Sequence, residues 1–257
     1  MFRRVPGSIF QKITSNHLFR WLHSPQHCNL STRFRLVTQK LEVNVNLSDG
    51  EMKFVGGRLC LDFVNTVDVW ANTGGREHLR NYGDHPLREK IVDYKALVRW
   101  GQLAGVISRS DASELLEYSA SHAPDANVTM SRALRLRRAL YRILKSLLQR
   151  WEPESGDIDI LQRELLVARK RQIIVFRDGA FLWTREAVPD SLDRILWPIA
   201  LSAGDLLTSA DLGRLRQCKS EQCGWMFLDS SRNRSRHWCD MSDCGNIDKV
   251  RRFRQRS

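Results

Sequence analysis

"CKSEQCGWMFLDSSRNRSRHWCDMSDC" runs from Cys218 to Cys244 and holds four of the chain's six cysteines. They fall as two C-x4-C pairs with fifteen residues between them. Zinc takes four soft or borderline ligands in a tetrahedron, and paired thiolates on two turns supply that set. The gap is wider than the commonest C-x2-C knuckle, yet two equal gaps across a short loop form a strong pattern. Redox pairs and free thiols are the competing readings. The spacing points to a closed structural site of Cys218, Cys223, Cys239 and Cys244, with one Zn²⁺ per chain. A closed four-cysteine site keeps no open position for water, which argues against catalysis at the metal. Clustered cysteines in a long chain without a recognisable secretory signal favour metal over disulfide staples.

Around the cysteines the sequence is basic. Residues 214–257 carry eleven Lys or Arg against five Asp or Glu. Arg216, Lys219, Arg236 and His237 lie near ligands in sequence and are candidates to donate N–H to sulfur. Trp225, Phe227, Trp238 and Phe253 are candidates for a small core. Such a module has little apolar surface of its own, so metal should supply much of its folding energy. After Cys244, Ile247, Val250 and Phe253 recur every third residue and are expected to face the zinc core. That leaves Lys249, Arg251, Arg252, Arg254 and Arg256 for other faces, with Arg232, Arg234 and Arg236 on the loop between the cysteine pairs. These eight cations are the candidate nucleic-acid contacts. A basic tail that only aids solubility is the plainer alternative.

The whole chain has 257 residues and a formal net charge of +12. The ends hold most of it: residues 1–51 carry seven basic and three acidic groups, and residues 52–213 are left with about +2. An anionic partner is favoured. No apolar run is long enough for a transmembrane helix, and a cytoplasmic location is expected. Residues 1–41 contain no Asp or Glu. They read as sequence upstream of a start at Met52, as a flexible basic arm, or as a targeting segment.

Between the charged ends the pattern is mostly helical. "GGRLCLDFVNTV" spaces Leu59, Phe63 and Val67 for a short amphipathic helix after a glycine turn. Asp62, Asn65 and Asp68 lie three apart, on one face, and Arg58 precedes them. They are candidate ligand contacts, or they serve neighbouring backbone. "REKIVDYKALVRWGQLAGVI" predicts a helix ending near Gly105. Asp111 and Glu114 resemble a capping box for the next helix. "SRALRLRRALYRILKSLLQRW" places a broad leucine side opposite Arg132, Arg135, Arg138, Arg142 and Lys145, most simply a solvated face. "QIIVFRDGAFLWTR" is two β-rich runs around Asp178-Gly179, a strong hairpin signal. Pro198 should kink or interrupt the last apolar helix. No phosphate-binding glycine loop, catalytic triad or paired-carboxylate set stands out.

Leu215–Arg256 resembles the CGNR zinc finger: ligand spacing, the "FLDSSRNRSR" loop and "WCDMSDCGN" match together. "GGRLCLDFVNT" and "LWPIALSAGDLL" are similar to the helical ABATE domain that precedes it in that family of bacterial stress-induced transcription regulators. The resemblance implies zinc at the four cysteines and DNA binding by the finger, and it begins just after Met52. One position departs from it. Ile247 stands where the family has the arginine of Cys-Gly-Asn-Arg, and Asp248 where a small residue is usual.

The expected architecture is mostly α (α+β). Residues 1–51 are an extension. Residues 52–210 are a helical domain with one β-hairpin, sensing a small-molecule effector or forming a homodimer. Residues 211–257 are a four-cysteine zinc finger with a basic C-terminal helix. The expected function is zinc-dependent DNA-binding transcription regulation without membrane association. An RNA-binding zinc protein is the alternative. An enzyme with its site around Arg58, Asp62 and Asn65 is the third reading.

Overall fold

Leu61, Phe63 and Val64 have no solvent exposure at all, although they belong to a helix of six residues. That helix, α1 (Leu59–Val64), is the centre of the core. A computed structural model describes residues 52–68, 88–186, 188, 190–220 and 223–256. The readings of residues 1–51 fall outside them. Among the described residues the chain is mostly α, with seven α-helices and three two-stranded antiparallel pairs.

After α1 come β1 (Val67–Asp68) and its partner β2 (Arg88–Glu89). Then follow α2 (Tyr94–Leu103), α3 (Arg109–Ser121), α4 (Ala123–Leu148) and α5 (Ser155–Lys170). A hairpin of β3 (Gln172–Arg177) and β4 (Ala180–Arg185) precedes α6 (Leu196–Leu207). The chain ends in β5 (Leu215–Gln217), β6 (Met226–Leu228) and α7 (Asn246–Arg256). The amphipathic spacing of α1 stops at Val64, because Val67 has already entered β1.

Local chemistry explains the boundaries. Asp93 accepts the Ala96 N–H at 2.7 Å and starts α2. The capping box of α3 sits one turn earlier than the sequence suggested. Ser108 is the cap, accepting the Asp111 N–H at 3.0 Å, and Asp111 accepts the Ser108 N–H at 2.9 Å. Serine holds the extended cap geometry (φ −74°, ψ 172°), so Asp111 supplies the third position instead of the first. Pro124 lies in the first turn of α4, where no intrahelical N–H is needed. Pro198 falls in the first turn of α6, and the run that read as one helix changes type just before it, from a 3₁₀ turn at Leu192–Ile195 to α-helix at Leu196. Asp178 and Gly179 both take positive φ, 51° and 77°, as a tight hairpin turn requires.

The basic stripe of α4 is not a solvated face. Arg132 donates to both oxygens of Glu164 (3.1 and 2.8 Å) and pairs with Asp193 at 2.9 Å. Arg142 grips Asp157 on α5 with two bonds from Nε, at 3.0 and 2.8 Å. Lys145 donates to Gln217 of β5 at 2.5 Å. Arg135 is exposed. Arg137, one step off the stripe, is 1% exposed and held by Thr66 (2.8 Å) and Glu89 (2.7 Å). Such a charge is tolerated inside only because it is paired.

Candidate metal centre

The cysteine-rich segment does not stand apart from the helices. Met226, Phe227, Leu215 and Trp225 belong to the same apolar cluster as α1, α4 and α6. Asn65, at the end of α1, is 2% exposed and bonds the Met226 backbone in both directions. Trp225 donates its indole N–H to the Val67 carbonyl at 2.7 Å, and the Leu228 N–H reaches the Gly56 carbonyl at 2.9 Å. Those bonds fix β6 against the helical core. β5 pairs with it in antiparallel register, Leu215 opposite Leu228 and Gln217 opposite Met226.

Cys218 follows β5 directly and extends the ladder, its N–H donating to the Trp225 carbonyl at 2.9 Å. Cys223 closes the first turn through Ser220 at 3.1 Å. The Lys219 N–H reaches the His237 carbonyl at 3.0 Å and ties this turn to the second cysteine pair. Asp240 then accepts both the Ser242 N–H (2.8 Å) and its hydroxyl (2.6 Å), starting a wide turn over Met241–Gly245 that carries Cys244. Gly245 lets the Met241 side chain lie close, since a Cβ there would fall 2.5 Å from its sulfur and push that exposed side chain aside. Asn246 donates to the Ser242 carbonyl at 2.9 Å and braces the same turn. Lys53 pairs with Asp240 at 3.5 Å and with Asp243 from outside.

All four sulfurs lie within 4.8 Å of one another, and all four cysteines are buried and free of disulfides. Cys239 Sγ is 3.7 Å from both Cys223 Sγ and Cys244 Sγ. A tetrahedron with metal–sulfur bonds of about 2.3 Å has edges of roughly 3.8 Å, which is the spacing of a zinc–tetrathiolate centre. A disulfide would need about 2.05 Å. Packed this closely the thiols shift one another: Cys223 lowers the pKa of Cys218, and Cys218 raises that of Cys223. A divalent cation bound among them would hold all four as thiolates and release their protons. Among the described residues this is the one group of His, Cys, Asp or Glu with metal-ligand geometry. Cys60 lies apart in α1, its thiol pushed up to about 12 by burial; Cys28 is outside the described residues.

The remaining candidates divide by position. His237 is exposed, edge-on to Trp238, and outside the sulfur cluster. Arg236 stacks on Phe227 at 4.3 Å and donates to the Trp238 carbonyl at 2.9 Å and to that of Cys239. Its guanidinium supports the second cysteine pair through carbonyls instead of sulfur. Arg216 likewise donates to the Gly213 and Leu215 carbonyls. Arg232 and Arg234 are exposed. Their loop is shaped by Asp229, a residue that sequence reasoning passed over. Asp229 is 1% exposed and accepts from the Ser231 N–H (2.9 Å), its hydroxyl (2.6 Å) and the Arg236 N–H (3.0 Å). The Ser231 hydroxyl, first among these donors, keeps its carboxyl below the ordinary range. The Asp-Ser-Ser triplet was a legible turn signal.

On α7 the expected orientation is corrected. Ile247, Val250 and Phe253 are 55, 50 and 73% exposed and do not cover the sulfur cluster. The buried residue of the helix is Asp248, which accepts from Arg252 Nε at 2.7 Å and faces Arg251 at 3.7 Å. A carboxylate in the first turn suits the helix dipole. Phe227 of β6 and Trp225 just before it belong to the same buried cluster as the four cysteines, the place that the helix was expected to fill. Lys249 and Arg254 are exposed, and Arg256 is the last residue of the helix.

Arg58, Asp62 and Asn65 serve the protein's own structure. Arg58 pairs with Asp211. Asp62 accepts the Gly56 N–H at 2.8 Å, and burial pushes its pKa up to about 6. Asn65 bonds the Met226 backbone through both atoms of its amide.

Two family models match the sequence. Residues 57–210 match the ABATE model, described as "Putative stress-induced transcription regulator", and residues 214–257 match the CGNR zinc finger. No curated protein matches the chain.

Proposed function

We propose, from the premise that the chain belongs to the ABATE family and carries a CGNR zinc finger, that it is a zinc-dependent regulator that binds DNA. The zinc is held by Cys218, Cys223, Cys239 and Cys244, one ion per chain. The ion has no vacant position in this scheme, so its work is to fix the polypeptide. It sets the start of α7 and the end of the arginine loop. The helical domain acts as the ligand-sensing or dimerisation module. The family is described as a regulator, not as an enzyme.

One observation carries the reading most. Exposed Arg232 and Arg234 sit on a loop pinned by buried Asp229, and exposed Lys249, Arg251, Arg252 and Arg254 sit on the helix that follows the fourth cysteine. Cations on a rigid frame neutralise phosphates without a large ordering cost. Arg251 and Arg252 share Asp248, which holds them in place and offsets part of their charge. Ile247 and Val250 add apolar surface to the same helix, and apolar side chains suit thymine methyl groups in the major groove.

The test is selection from random duplex DNA at fixed salt, with structured RNA as competitor. Enrichment of duplex sequences is expected. Preferential retention of RNA would favour an RNA-binding protein instead, and retention of neither would remove the nucleic-acid reading.

A further inference from the structure

The β3–β4 hairpin carries more apolar surface than its own fold can use. Cross-strand partners in an antiparallel pair share a face. The register sets Ile174 opposite Trp183 and Phe176 opposite Phe181, so these four line one face. They are 56, 62, 64 and 76% exposed. The two phenylalanine rings touch, with centroids 5.0 Å apart and planes tilted by 58°. None of the four has a charged or strongly polar group. Arg185, at the base of the same face, is turned back to the Val106 carbonyl at 3.1 Å and anchors the hairpin to the helices.

Those exposures correspond to roughly 600 Å² of contiguous apolar surface, the upper limit of what a monomer usually shows. A two-stranded ribbon has no second sheet beneath it and is marginal by itself in water. A patch of this size marks an interaction site.

We infer that the hairpin is a homodimerisation arm, its aromatic face packed on the same face of a second copy. This takes up the dimerisation half of the function proposed above and stands apart from its metal and nucleic-acid half. The occupant follows from the patch itself. A two-fold interface must be self-complementary. The patch of Ile174, Phe176, Phe181 and Trp183 meets that condition, because it is uncharged and the one cation on its face, Arg185, is bonded away to the Val106 carbonyl. Two such faces stack as sheets do, with side chains interdigitating. Together they would remove roughly 1,200 Å² from water, the lower edge of a stable specific interface. An association of moderate strength is therefore expected.

Sedimentation equilibrium of the full chain, without nucleic acid, tests it from about 1 to 100 μM, the range for an interface of this size. The mass should approach twice 29.8 kDa at the upper end. Phe181→Glu and Trp183→Glu should each raise the dissociation constant roughly thirtyfold or more, the loss of one interface anchor. Helical content and metal content should stay unchanged, since both side chains are exposed. Thr184→Glu, on the opposite face, should leave the dimer intact. A single-chain mass for the unaltered protein across the range would overturn both the dimer and its arm. A dimer equally tight in Phe181→Glu and Trp183→Glu would leave dimerisation standing and remove this face. Equal damage from Thr184→Glu would also remove it.

Discussion

Asn65 and Met226 are joined through both ends of the asparagine amide: Nδ2 donates to the Met226 carbonyl at 2.8 Å, and Oδ1 accepts the Met226 N–H at 2.9 Å. One side chain thus stands in for a missing strand beside β6, across 161 residues of sequence. Both bonds are buried, so their removal leaves two backbone groups unsatisfied. Asn65→Ala should cost about 2–4 kcal/mol in denaturant unfolding. Because Met226 lies between the cysteine pairs, the variant should also surrender metal to a chelator faster than the parent. Asn65→Asp keeps the acceptor but sets a carboxylate oxygen against the buried Met226 carbonyl, so at neutral pH it should destabilise at least as much as Asn65→Ala. An Asn65→Ala protein within about 0.5 kcal/mol of the parent would contradict this account, since surface changes fall in that range.

The cysteines give a sharper test. Cys239→Ser should reduce bound zinc from one per chain to none, measured by elemental analysis after gel filtration. Cys60→Ser, in the core of α1, should keep full metal content. The shared core predicts the rest. Met226 and Phe227 are completely buried among the helices, so loss of metal should loosen the turns after Cys218 and Cys239 while α4 and α5 stay folded. Far-ultraviolet dichroism that collapsed with the metal would show the helices to depend on it.

The contrast between the two cysteine pairs and Asn65 shows how much the sequence disclosed. The pairs are short, local and chemically unusual, so their spacing pointed to a metal site before any fold was known. Helices α2, α4 and α5 and the Asp178-Gly179 turn were legible for the same reason: each is coded by neighbours a few residues away. What stayed hidden is long-range pairing. Arg132 looks like a solvated cation until Glu164 and Asp193 arrive from other helices. Phe253 looks like a core residue until β6 fills the place beside the sulfurs. Asn65 had two readings in sequence, ligand contact or backbone service, and only its distant partner separates them.

Ile247 offers a gain-of-function test. Its side chain is 55% exposed, so the arginine of the family signature would fit there without repacking. Ile247→Arg should leave stability unchanged and strengthen DNA binding. Each added phosphate contact steepens the dependence of log K on log salt by about 0.9. Arg232→Ala should do the reverse, with metal retained. Arg236→Ala should instead destabilise the second cysteine pair, because its guanidinium is bonded to the Trp238 and Cys239 carbonyls. Salt titrations of binding beside metal content separate these outcomes. An Ile247→Arg protein with the parent's salt slope would mean that this position does not face phosphate.

Asp62 makes the pH dependence specific. Burial raises its pKa from 3.8 to about 6, opposed by the backbone N–H groups of Gly56 and Val55. The folded state therefore holds this proton more tightly than the unfolded chain. Below about pH 4 both states are protonated and the residue adds no pH dependence. Between about pH 4 and 6 stability falls as pH rises, by up to about 3 kcal/mol, and the penalty persists above that range. Asp62→Asn removes the titration and keeps an oxygen for the Gly56 N–H. Losing the second acceptor lowers its curve by a constant, so the slope is the readout. The parent-minus-variant difference in unfolding free energy should decline from pH 4 to pH 7. The metal site is common to both proteins and cancels in that difference. A difference that stays flat across the window would show that Asp62 is ionised throughout.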